Sequence, residues 1–132
     1  MIEFLFALAA ASATQDLALA PRRPLVECSQ HLTNDRARHN CLRDLLRTAE
    51  RALDTTLDAA RQEAEESDLD SGGMFRAEEM LETAHQHWQT SRDSECGRRG
   101  ALMFVSEASR TDITLDCQVA MTRARRLELE NN

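Results

Sequence analysis

The chain has no Lys and no Tyr, and in 132 residues it holds two Pro, four Gly, four Phe and a single Trp. Each shortage excludes something. With aromatics at 4%, the core must be built from Leu, Ala and Met, and such a core is thin. The only prolines, Pro21 and Pro24, precede the first cysteine, so nothing in the body of the chain interrupts a helix by removing a backbone donor. A length of 132 residues is one domain's worth and excludes a multidomain enzyme. Hydrophobic residues make up 42%, and no apolar run is long enough to span a bilayer, which needs about 20 residues. The 16 basic residues are all Arg and are outnumbered by 23 acids. A net charge of −7 argues against nucleic acid as a partner, because phosphate binding needs a cationic footprint.

Four cysteines are present, Cys28, Cys41, Cys96 and Cys117. Their even number fits two disulfides in a protein that leaves the cytoplasm. The N-terminus agrees: Phe4 to Ala11 is an apolar stretch, Ala11-Ser12-Ala13 is a small-x-small cleavage pattern, and Thr14-Gln15-Asp16 is polar. The expectation is a signal peptide over residues 1–13, whose n-region Met1-Ile2-Glu3 carries no Lys or Arg and so reads as one truncated at its N-terminus, a flexible segment over 14–27, and a helical domain over 28–132. Glu27 stands where a lipoprotein anchor site needs a small residue. The mature protein is therefore expected to be periplasmic or secreted, without stable membrane insertion. Four cysteines allow three pairings; local closure favours Cys28 with Cys41 and Cys96 with Cys117, while sequence alone leaves the alternatives open.

From Leu42, the apolar positions Leu45, Leu46, Ala49, Ala52, Leu53, Leu57, Ala60 and Ala64 follow the spacing of one helical face. Thr33 or Asn34 caps the start, and the run from Ser67 to Gly73 ends the helix, giving about residues 34–66. A second periodic run, Ala77, Met80, Leu81, Ala84 and Trp88, predicts a helix over about 74–95, antiparallel to the first. Ile113, Cys117, Ala120, Met121, Ala124 and Leu127 predict a third over about 112–129. Residues 97–111, with the apolar run from Ala101 to Val105, read as a buried loop or a short extra helix. The expected fold class is all-α: an antiparallel helical hairpin plus a C-terminal helix, stapled by disulfides.

Charge is unevenly spread. Residues 49–82 hold eleven acids against three Arg, whereas 22–48 are net basic and 83–132 are balanced. Glu63, Glu65, Glu66, Asp68, Asp70, Glu78 and Glu79 form the centre of the acidic stretch. A charge run of this kind is either a solvated face or a docking surface for a basic partner.

In the second helix Ala84, Trp88 and Arg92 follow one another at i, i+4 steps, extended by Leu81 and Cys96. That stripe predicts Trp88 as the aromatic anchor of the core and Arg92 near the helix end, bonding terminal carbonyls or an acid on a neighbouring helix. The pattern W-x3-R-D-x2-C, then C-x4-T-x2-R-x3-L, resembles the exported family with an LprI-type lysozyme-inhibitor N-terminal domain. Leu81, Ala84, Trp88, Arg92, Asp93 and Cys96 carry it in the second helix, and Cys117, Thr122, Arg125 and Leu129 in the tail. Upstream, the pair Cys28 and Cys41 precedes Leu53 at a suitable distance, so the likeness runs over about residues 28–129. His85 departs from the family's usual Gln, Ser91 from an aromatic, and the first helix has no Tyr. What the resemblance implies is a small disulfide-bonded helical envelope domain, some of whose relatives inhibit lysozyme.

Chemistry for catalysis or metal binding is missing. His85 and His87 are two residues apart and face different sides of a helix, and His31 and His39 read as surface residues. No C-x2-C pair, Gly-rich phosphate loop or G-x-S-x-G occurs. No cofactor, metal or enzymatic activity is expected. The resulting expectation is a binding protein that docks a cationic partner such as lysozyme through its acidic surface. The alternative is a structural or interaction module of the envelope that does not inhibit lysozyme.

Overall fold

A computed structural model of the chain describes residues 22–131. The expected signal peptide lies outside the described residues. Among the described residues four α-helices occur in order, α1 (Pro24–Glu27), α2 (Asp35–Ser71), α3 (Ala77–Ala101) and α4 (Glu107–Glu130), with a 3₁₀ turn at Ser29–His31 after α1. No strand occurs among the described residues, and the architecture is all-α.

Each long helix runs past at least one of its sequence-based bounds, although α3 starts three residues later than expected. α2 begins where Asn34 Oδ1 accepts the Ala37 N–H at 3.0 Å. It passes the polar run after Glu66 and stops only at Gly72, whose φ of 66° closes the helix in the left-handed region. Exposed Asp and Ser lower helix propensity too little to end a helix whose other face is packed. α3 continues past Cys96 and Gly97 to Ala101. Gly100 lets α3 approach α4 closely: a Cβ there would overlap the Thr114 hydroxyl and stand 3.1 Å from the Arg110 carbonyl oxygen. α4 starts five residues earlier than expected because Ser106 caps it, accepting from the Ser109 N–H at 3.1 Å. The 97–111 segment thus divides into the end of α3, a short connection and the start of α4. Leu102, Phe104 and Val105 in that connection are exposed, which corrects the buried-loop reading.

α4 packs along both helices of the α2–α3 hairpin. Leu42, Leu53, Leu57, Leu115 and Val119 are buried between them, each stabilising the fold by about 1.5–3 kcal/mol. The disulfides are Cys28–Cys41, with Cα atoms 5.9 Å apart, and Cys96–Cys117, at 5.4 Å. The first ties the end of α1 to α2 and the second ties α3 to α4.

Residues 24–27, within the segment expected to be flexible, form α1 and are tied to α4. Pro24 is buried at the start of α1, and Asp116 on α4 accepts from the Leu25 N–H at 3.0 Å and from Arg23 at 3.1 Å. Arg123 on α4 donates to both oxygens of Glu27, at 2.6 and 3.0 Å. Arg38, only 7% exposed, bridges α2 and α4 by donating to both oxygens of Asp112 at 3.0 Å, and it also donates to the Leu32 carbonyl at 3.0 Å. His39 is part of the same junction, with Nε2 3.1 Å from Asp112, and is not the surface residue expected.

Candidate docking arm

α2 is the longest element, and the other helices do not cover it throughout. A helix of 37 residues is about 55 Å long. α4 runs parallel to it and finishes where Glu130 Oε1 accepts from the Thr56 hydroxyl at 3.3 Å. Among the described residues, only α3 accompanies α2 beyond that level. Arg61 meets Glu82 across the pair, and Asp68 meets the start of α3. The end of α2, the connection 72–76 and the first turns of α3 therefore stand out from the three-helix body as a two-helix arm.

The base of the arm is held by residues singled out by the W-x3-R-D-x2-C pattern. Arg92 is 7% exposed and lies midway along α3, not near its end, because α3 continues to Ala101. Its guanidinium donates to Glu50 on α2 at 3.1 Å, to the Thr122 hydroxyl on α4 at 3.0 Å and to Asp93 at 2.9 Å. Thr122, fully buried, donates onward to the Gln118 carbonyl at 2.7 Å. Gln118 donates to Asp93 at 3.2 Å. One side chain thus joins all three long helices, and its planar fork of donors suits that task as a Lys would not.

Trp88 is half-buried, which corrects its assignment as the core anchor. It lies under the Arg92 guanidinium, 5.3 Å from carbon to ring centroid, and stacks on His85 at 5.8 Å. Ala84 is exposed, and the inward stripe of α3 runs instead through Leu81, His85, Trp88, Arg92 and Cys96. Burial pushes the His85 imidazole below its usual pKa, with the Arg61 charge adding to the effect. Arg125 on α4 is half-buried and pairs with Glu128 at 3.1 Å, and Leu129, four residues on, is also half-buried.

The seven acids expected at a docking surface all fall on the arm. Glu63, Glu65, Glu66, Asp70, Glu78 and Glu79 are exposed. Only Glu79 has an ion pair among the described residues, with Arg76 at 3.6 Å. Asp68 has a different task. Its carboxylate accepts from the Ala77 N–H at 2.7 Å and the Glu78 N–H at 3.1 Å, so a side chain of α2 caps the N-terminus of α3. Further down the arm, the hydrogen bond from Arg61 holds the Glu82 carboxyl below its ordinary range.

Several positions were not legible beforehand. Arg38 lies one turn before Leu42 on the α2 stripe, and that placement is a signal of burial. Asp112 and Asp116 sit on the inward side of α4 and give no such warning, because an acid on a stripe reads as its interruption. Among the described residues no helix is long and apolar enough to cross a membrane, and no group of three or more His, Cys, Asp or Glu is placed to hold a metal ion.

No curated protein and no solved structure matches the chain. A family model described as lysozyme inhibitor LprI matches residues 28–129. That span takes in both disulfides, the Arg92 junction and the whole arm, and the chain belongs to the lysozyme inhibitor LprI family.

Proposed function

We propose that the protein is an exported inhibitor of lysozyme that docks its basic target through the acidic arm. The observation that carries this reading is the set of exposed carboxylates of Glu63, Glu65, Glu66, Asp70 and Glu78, without an ion pair among the described residues, on the part of the hairpin that α4 leaves uncovered. Paired surface acids are partly neutralised by their own neighbours; these are free to attract a cationic partner, speeding encounter and orienting it. The family description supplies the target class. Two disulfides in a small thin-cored domain support residence in an oxidising compartment, periplasmic or extracellular.

The purified, oxidised protein should slow lysis of a cell-wall suspension by lysozyme. The effect should weaken as salt rises, because screening at about 0.15 M ionic strength shortens electrostatic reach to about 8 Å. Absence of inhibition at low salt and molar excess refutes the proposal and leaves an envelope interaction module with a solvated acidic face.

A further inference from the structure

The acids are not the whole of the arm's surface. At its tip four large apolar side chains face solvent: Leu69 at 76% exposure, Met74 at 74%, Phe75 at 68% and Met80 at 66%. Leaving such a side chain in water forgoes about 1.5–3 kcal/mol of burial, and exposed apolar patches rimmed by charge mark interaction sites. The tip is also fixed. Gly72, Gly73 and Arg76 have φ of 66°, 76° and 51°, so three of the five connecting residues are left-handed. The Gly73 N–H donates to the Asp68 carbonyl at 2.7 Å, while the Asp68 carboxylate holds Ala77 and Glu78. Met74 and Phe75 are therefore displayed on a braced turn, at little further entropic cost on binding. Behind Phe75 a shallow groove of about 470 Å³ runs along the outer face of α3, lined by Met80, Thr83, Ala84 and His87. The exposed Ala84 keeps that groove open.

Charge selects the occupant. Residues 61–82 carry eight acids and two Arg, so two tips repel each other and an anionic bilayer repels both. A basic protein is attracted. Resting on the reading of the acidic arm as the docking surface, we infer that Met74 and Phe75 are the anchor of the interface. They insert into an apolar depression of the cationic partner while the surrounding carboxylates steer and align it. The acids then set the rate and salt dependence of association, and the apolar pair sets how long the complex lasts.

The experiment compares three oxidised full-length proteins in the lysozyme inhibition assay at low and moderate salt: the wild type, M74S/F75S, and E65Q/E66Q/D70N. None of these side chains is buried, and circular dichroism and thermal melts establish that each variant is folded. M74S/F75S should weaken inhibition about 30-fold or more, as loss of a hot spot does, with the salt dependence kept. E65Q/E66Q/D70N should flatten the salt dependence. If the wild type inhibits and M74S/F75S does so within about threefold, the anchor is refuted while the acidic docking reading stands. If the wild type does not inhibit at all, both fail. Phe75-dependent binding to phosphatidylcholine or phosphatidylglycerol vesicles, or Phe75-dependent dimerisation in sedimentation, would also overturn the inference by giving the tip another occupant.

Discussion

Truncating Arg92 to Ala tests whether one buried guanidinium holds the three long helices together at the base of the arm. The loss has several parts that differ in weight. A hydrogen bond from a charged group is worth about 1.5–3 kcal/mol when buried. Glu50 and Asp93 are 43% and 55% exposed and regain water when Arg92 is removed, so their bonds count for much less. The Thr122 hydroxyl loses a donor but still donates to the Gln118 carbonyl, so it is not stranded. The cation–π contact with half-exposed Trp88 adds about 0.5–1 kcal/mol, and the buried aliphatic stem adds packing. The total for Arg92→Ala is about 3 kcal/mol. Thr122→Val leaves the guanidinium bound to Glu50 and Asp93 and should cost about 1 kcal/mol. Arg92→Lys retains charge but one ammonium cannot serve Glu50, Asp93 and Thr122 together, so a loss of about 1–2 kcal/mol is expected. Urea unfolding of the oxidised protein measures each value, and the Ala variant should also melt more than 10 °C lower, at about 4 °C or more per kcal/mol. A loss below 0.5 kcal/mol for Arg92→Ala, or a Lys variant equal to wild type, would refute the reasoning.

Three other outcomes follow from the packing. Gly100→Ala should destabilise by about 1–3 kcal/mol through overpacking against Thr114 and the Arg110 carbonyl, and adding Thr114→Ala should recover most of the loss in the same unfolding assay. Replacing either disulfide by a pair of Ala should cost about 3 kcal/mol in the chain-entropy model, with the Cys96–Cys117 loop of 21 residues costing slightly more than the Cys28–Cys41 loop of 13. His85 has a lowered pKa in the folded state, chiefly from burial. Between its folded pKa and about 6.5 the unfolded chain binds more protons, so the stability contributed by neutral His85 is present above pH 6.5 and is lost as pH falls through that window. His85→Gln should remove this part of the stability–pH slope, and an unchanged slope in pH-dependent melts would count against burial as the cause.

The sequence by itself determined the helical class, because apolar residues recurring at i, i+3 and i+4 leave only one backbone period that can bury them together. It also determined that the negative charge is localised, since the arm's acids lie in one continuous stretch. The start of α2 was legible because Asn34 caps its own helix. α3 takes its cap from Asp68, on another helix, and only the tertiary structure brings that carboxylate to Ala77 and Glu78. The same distinction explains Trp88 and Arg92. Spacing places both on one side of α3, but which of them faces Thr122 and which the solvent edge depends on where α4 lies across the hairpin. How far α4 reaches also decides that the acids stand on an uncovered arm, and that Met74 and Phe75 at its tip remain exposed. No local pattern records that limit, because it is set by the register in which Cys96–Cys117, Gly100 against Thr114 and Arg92 with Thr122 lock the third helix onto the other two.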